Sequence, residues 1–214
     1  MFIRDTGVTP RTNILVIRHQ CNSIADLAAT ETYYGVEIDI RSKDETLVLA
    51  HDPFSPGESF SDWIEHYRHR FIVLNVKEEG LEEAGLGVLG RHGVEDFFFL
   101  DQSFPFLLKT AAGGERRCAV RTSEYESVET ALAVAHLVDW VWLDTFTGLA
   151  LTGSEANALN KAGLKLCLVS PELVGRTGAD EVRLLQERLA LHHIDIDAVC
   201  TKQPDAWKGW PGIT

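Results

Sequence analysis

Residues 35–52 read GVEIDIRSKDETLVLAHD. In the first half of this stretch Val36, Ile38 and Ile40 alternate with Glu37 and Asp39. Residues two apart on a strand share a face, so the two carboxylates point the same way. On an open antiparallel sheet that face would meet water and the acids would need no partner. In a sheet covered on both faces, paired acids need a counter-charge. The meaning of Glu37 and Asp39 therefore rests on the kind of sheet the flanking sequence builds.

Outward from this stretch, strand-like and helix-like segments alternate from end to end. Apolar runs at 13–18 (NILVIR), 36–40, 71–76, 96–100 (DFFFL), 117–121, 140–143, 165–169 and 198–201 have the length and composition of buried strands. Residues 46–50 are expected to continue the second strand after a polar turn. Helical patterns fill the intervals at 23–33, from Ser59 or Ser61 to 69, and at 81–91, 104–112, 128–136, 154–162 and 179–192. Asn22 or Ser23 is a plausible first N-cap, and Gly113-Gly114 and Gly163 are stop signals. Strict alternation of β and α predicts parallel strands with helical crossovers. Eight repeats favour a closed, short-looped (β/α)8 TIM-type barrel, and 214 residues lie near the lower end of its range. No G-x-G-x-x-G follows the first strand, which removes the main dinucleotide signal. With no linker or low-complexity segment, one domain over 1–214 is expected.

The formal net charge of −12 argues against nucleic acid as a partner, since phosphate backbones need a basic footprint. It favours a site that holds a cation, and it requires any anionic substrate to be attracted locally. Residues 1–10 lack the apolar run of a signal peptide, and no apolar stretch approaches membrane-spanning length. Cys21, Cys118, Cys167 and Cys200 form no C-x-x-C pair. Buried free thiols and a cytoplasmic location are the expectation.

Barrel enzymes carry their chemistry at the C-terminal ends of strands. Those positions hold His19, Glu37 with Asp39, His51, Asn75 with Lys77, Asp101, Arg121, Asp144, Ser170 and Lys202. Two adjacent acids inside a closed barrel suit a hard divalent cation, Mg2+ or Ca2+. His19 and His51, flanking a metal-bound phosphate, can act as general acid and base because imidazole titrates near neutral pH. Each histidine alone reads as an ordinary core or surface residue. His66, His69, His92, His136, His192 and His193 fall in or beside helices.

The segment Gly35-Val-Glu37-Ile-Asp39-Ile, then Ser42-Lys43-Asp44, then Leu47-Val-Leu-Ala-His51-Asp52 resembles the glycerophosphodiester phosphodiesterase family. That family has an E-x-D strand, a K-D-G-like turn and an H-D pair at this spacing. Gln102-Ser103-Phe104 is similar to its Q-S-F, and the stretch from Ala198 to Asp205 to its closing D-G-I-I-T-D-x-P segment. The resemblance implies a barrel and a metal-dependent phosphodiesterase acting on a small phosphodiester. It implies that His19 and His51 are catalytic, that Glu37 and Asp39 are metal ligands, and that Lys77 binds the phosphate. Arg121, ending the fifth strand, is read as a further phosphate-binding residue. Three departures stand out. Where the family reads H-R-G this chain has His19-Gln20-Cys21, the P-E-N-T segment is absent, and Asn75 stands at the third metal carboxylate of E-x-K. Asn75 can ligate through its amide oxygen without adding charge, and Glu79, of the same parity, is the other candidate. A catalytically impaired member that serves as a binding or scaffold protein is the alternative. A lyase-like relative forming a cyclic phosphate, as in the phosphatidylinositol phospholipases, is a third.

Overall fold

The structure is a computed structural model and describes residues 13–213. Residues 1–10, read above for a leader, lie outside the described residues. The elements run β1 (Leu15–Arg18), α1 (Ile24–Ala28), β2 (Gly35–Lys43), β3 (Thr46–Leu49), β4 (Glu58–Ser59), α2 (Phe60–Glu65), β5 (Ile72–Val76), α3 (Glu82–Arg91), β6 (Phe97–Leu100) and α4 (Phe104–Ala112). They continue with β7 (Ala119–Thr122), α5 (Val128–Val134), β8 (Trp140–Leu143), α6 (Gly153–Lys161), β9 (Lys165–Val169), α7 (Glu181–Leu191) and β10 (Ala198–Thr201). Ser23 caps α1 through a 3.0 Å bond from the Asp26 N–H, and Thr152 with Glu155 forms a capping box on α6. Helix α1 stops well short of residue 33. Thr30 Oγ1 bonds back to the Asp26 carbonyl at 2.8 Å, and the β-branched and aromatic residues that follow disfavour helix.

Eight strands are parallel and pair in the order β6-β5-β2-β1-β10-β9-β8-β7. The sheet curls until β6 faces β7, but no ladder forms there. Phe99 and Cys118 make a single bridge, with the Phe99 N–H donating to the Arg117 carbonyl at 2.8 Å. This offset register leaves β6 only Leu100 before Asp101, whose φ of 62° turns the chain away. The sheet is therefore open at one seam, which corrects the expectation of a fully closed barrel.

β3 also departs from expectation. It does not continue β2 but folds back antiparallel to it, from Lys43↔Thr46 to Ile40↔Leu49. The two-residue turn is allowed because Asp44 takes a left-handed φ of 55°, which short polar side chains tolerate. The reversal returns the chain to Asp39, whose carbonyl accepts from the Ala50 N–H at 3.0 Å, and so delivers His51 to the C-terminal mouth.

Strand alternation divides the apolar residues into two layers. Val36, Ile38, Ile40 and Leu74 face the helices with Trp63, Leu89 and Leu189. Ile17, Val73, Phe98, Leu100, Trp140, Trp142, Cys167, Val169 and Cys200 fill the interior. Phe98 meets Trp140 at 4.8 Å and Trp142 at 6.3 Å between ring centroids, so aromatic rings plug the interior below the mouth. All four cysteines are free and buried. Among the described residues no helix is long and apolar enough to cross a membrane. Phe98→Ala is expected to cost about 3–5 kcal/mol, the usual loss for truncating a buried ring. Urea denaturation of the two proteins checks this; a change under about 1 kcal/mol would mean that the interior collapses around the gap.

Candidate active site

Parity puts Glu37 and Asp39 on the inner face of β2, and both are fully buried. Glu37 Oε2 accepts the Gln20 backbone N–H at 2.8 Å, and Oε1 accepts Asn75 Nδ2 at 3.0 Å. Gln20 makes this bond from a left-handed φ of 57°, so the position after His19 serves the site through its backbone. Asn75 is the register partner of Asp39 on β5. Asp39 is clamped twice by Asn22, which donates Nδ2 to Oδ2 at 2.7 Å and accepts the Asp39 N–H on Oδ1 at 2.8 Å. Asp39 Oδ1 takes no hydrogen bond and stands 3.2 Å from Lys77 Nζ. Asn75 Oδ1 is buried without a hydrogen bond. Burial pushes the Glu37 carboxyl up to about 8, and the neighbouring Asp39 adds to the shift.

His19 Nε2 lies 3.8 Å from Glu37 Oε2, and Nδ1 is buried without a partner. Burial holds this imidazole down to about 4; Lys202, Lys77 and His51 act in the same direction and Asp39 opposes them. At neutral pH His19 is therefore an uncharged base. His51 sits at the rim, half exposed, with Nδ1 2.8 Å from Asp52 Oδ1. It shares a cavity of about 550 Å3 with Asn22, Asp26, Asp52 and Glu58.

The cations expected to hold phosphate are already paired. Lys77 Nζ is also 3.6 Å from Asp101 Oδ2. Arg121 Nη2 is 2.5 Å from Asp101 Oδ1, and Nη1 pairs with Asp144. The result is an alternating chain of charge from Asp39 through Lys77, Asp101 and Arg121 to Asp144. Burial raises the Asp144 carboxyl to about 6 against the opposing pull of Arg121.

The seven residues expected from sequence thus gather at one mouth. Glu37 contacts His19 and Asn75, Asp39 contacts Lys77, Arg121 joins through Asp101, and His51 stands at the edge. Two contributors were not anticipated. Asn22 reads in sequence as a helix cap, yet it fixes the orientation of Asp39. Arg41 donates Nε and Nη2 to the His51 carbonyl at 3.2 and 2.9 Å and pairs with Glu78 at 3.3 Å, tying the hairpin to the end of β5. Arg41 shares the parity of Glu37 and Asp39 on β2, and that alternation was the signal that could have marked it.

Among the described residues no group of three or more His, Cys, Asp or Glu side chains is spaced to hold a metal ion. The oxygen set present is Glu37, Asp39 and the Asn75 amide. Its chemistry fits a hard divalent cation: the donors are all oxygen, Asn75 Oδ1 lacks a hydrogen bond, and Asp39 Oδ1 has only the Lys77 ammonium beside it at 3.2 Å. Glu79 is exposed and lines a cavity of about 170 Å3 with Lys77, Asp101 and Gln102.

No family model matches the chain, and no curated protein matches it in sequence. Solved structures do match. A glycerophosphodiester phosphodiesterase from Agrobacterium tumefaciens superposes with a TM-score of 0.65 at 14% identity, over 91% of this chain and 99% of that one. A glycerophosphoryl diester phosphodiesterase from Parabacteroides distasonis gives 0.62 at 13% identity, over 94% and 88%. A mutant tryptophan synthase α-subunit from Pyrococcus furiosus gives 0.51 at 14% identity, over 96% and 94%. At these identities the likeness shows the fold.

The Glu37 shift has a consequence for stability. Without a cation, the native state keeps a proton up to about pH 8 that the unfolded chain releases near 4.5, so stability falls as pH rises across that window. Asp144 acts in the same sense only up to about 6, and His19 acts oppositely only below 6.5. Between pH 6.5 and 8 Glu37 is the shifted group that remains among the described residues. Chelator-treated protein is expected to lose thermal stability over that range, and Glu37→Gln to flatten the loss. Thermal melts followed by circular dichroism provide the test; an equally steep loss in the variant would assign it to another group.

Proposed function

We propose that this protein is a metal-dependent phosphodiesterase that hydrolyses a small, glycerophosphodiester-like substrate. The fold alone does not select this reaction, because a tryptophan synthase subunit shares it. The observation that carries the reading is the site: two fully buried carboxylates side by side, an orphaned amide oxygen on the neighbouring strand β5, and a neutral histidine 3.8 Å from one carboxylate. The motif resemblance around residues 35–52 points the same way.

Glu37, Asp39 and Asn75 would hold the cation, Mg2+ or Ca2+, with Asn22 fixing Asp39. Bound there, the cation supplies positive charge that polarises a phosphoryl oxygen. His19 accepts the proton of the attacking hydroxyl, from water or from the substrate, because its imidazole is uncharged at neutral pH. His51, oriented by its Nδ1 contact with Asp52, gives a proton to the leaving alkoxide. Lys77, shared between Asp39 and Asp101, lies beside the phosphate position and offsets charge on it. A small substrate is favoured over nucleic acid because the mouth's cations are largely paired and the net charge is −12. Four buried free thiols suit a reducing, cytoplasmic setting.

One observation favours a second reading, an impaired member that binds without turnover. Asn75 turns its Nδ2 toward Glu37, and Lys77 faces Asp39, so both acids have partners before any cation arrives. Turnover separates the two. With Mg2+ or Ca2+ present, glycerophosphocholine or bis(p-nitrophenyl) phosphate should be hydrolysed. His19→Ala and His51→Ala should each lower kcat by about 10²–10⁴-fold with unchanged circular dichroism. Absence of turnover in the parent would favour the binding role, and full turnover in either variant would remove that histidine from the mechanism.

A further inference from the structure

We infer that Lys202 is the residue that anchors the substrate phosphate. This rests on the phosphodiesterase reading and assigns within that site a ligand that neither the motif nor the charge chain provides. Three cations at the mouth are already engaged. Lys77 is divided between Asp39 and Asp101 at 3.2 and 3.6 Å, Arg121 between Asp101 and Asp144, and Arg41 is held by Glu78 at 3.3 Å. A cation already matched by carboxylates has little net attraction left for a diester monoanion. Gln20, the residue next to His19, brings no charge.

Lys202 differs in both partners and direction. Among the described residues its hydrogen bonds run through the backbone: its N–H donates to Glu172 Oε1 at 3.0 Å, and its carbonyl accepts Arg18 Nη1 at 3.2 Å. These bonds fix the root of the side chain, and among the described residues the ammonium has no carboxylate partner. On β10 Ala198 and Cys200 face the interior, and residue 202 continues that parity. Thr201 pairs in register with Arg18, and its carbonyl accepts the His19 N–H at 3.0 Å, so Lys202 leaves its strand beside His19. The nearness is felt electrostatically, since Lys202 follows only burial among the causes that hold the His19 imidazole neutral. The side chain is exposed, and so open to a solute entering the mouth. An unmatched ammonium on a fixed root, next to the general base, supplies the local attraction that an acidic protein needs for an anionic substrate.

Calorimetric titration of inorganic phosphate and of glycerol 3-phosphate, with Mg2+ present, tests this in four proteins: the parent, Lys202→Met, Lys202→Arg and Lys161→Met. Lys161 lies in the last turn of α6, away from the mouth, and controls for the change in net charge. Lys202→Met should weaken both ligands about tenfold or more, the usual worth of a charge-assisted bond, and raise KM for a diester more than it lowers kcat. Lys202→Arg should keep most of the affinity, and Lys161→Met all of it. If Lys202→Met binds phosphate as tightly as a parent that turns over diesters, the anchoring role is wrong and the phosphodiesterase reading stands. An equal loss in Lys161→Met would reduce the effect to bulk charge and overturn the role. A parent that neither binds phosphate nor hydrolyses diesters would overturn both readings.

Discussion

Glu37 and Asp39 lie two residues apart on one strand face, inside a curled sheet, with no exposure to water. Burying one unpaired carboxylate costs several kcal/mol, and a domain's whole stability is only about 5–15 kcal/mol. The surroundings are arranged around that cost. The turn after β1 contributes the Gln20 N–H, the start of α1 contributes Asn22, and β5 contributes Asn75 and Lys77. These partners hold the pair in place without neutralising it. The one ammonium within ion-pair distance of the pair reaches only Asp39, at 3.2 Å, and is itself shared with Asp101. The deficit of positive charge at the bottom of an open mouth is the physical basis for reading the site as a cation and phosphate site.

The same electrostatics link the site to the shape of the sheet. Asp101 ends β6 with a positive φ, which helps leave the seam beside β7, and its carboxylate bridges Lys77 on one side of the seam to Arg121 on the other. Where the backbone ladder is missing, a side-chain ion pair spans the gap. Arg41 has a comparable role at the neighbouring exit of β5. By holding the His51 carbonyl and Glu78, which also accepts the Ser42 N–H at 3.1 Å, it fixes the β2–β3 hairpin against the exit of β5. His51 and Lys77 reach the mouth on segments stapled to each other, although neither side chain contacts the other's.

What could be read in the sequence followed from periodicity. Alternation on β2 and β5 fixes the inward faces of Glu37, Asp39 and Asn75, and strand ends at a barrel mouth gather His19, Lys77 and Arg121. The features that escaped that reading are non-local or depend on single backbone angles. The seam reflects the register of Phe99 against Cys118 and the φ of Asp101, neither of which leaves a pattern in composition. The reversal at Asp44 was legible only as a polar turn, because a strand that resumes and one that folds back have the same alternation. Asn22 resembles a helix cap locally, and its bond to Asp39, 17 residues away, appears only once α1 and β2 are packed. Lys202 was visible as a strand end, but the pairing of every competing cation had to be known before its free charge carried meaning.

The central claim is that the buried oxygens of Glu37, Asp39 and Asn75 form a cation site that lacks one negative charge. Calorimetric titration of Mg2+ and Ca2+ into the parent and into Asn75→Glu tests it most directly. The account predicts weak binding of one ion per chain in the parent and clearly tighter binding in the variant, since a carboxylate at that reach adds the missing charge. Binding that is no tighter in Asn75→Glu, or no binding in either protein, would contradict it.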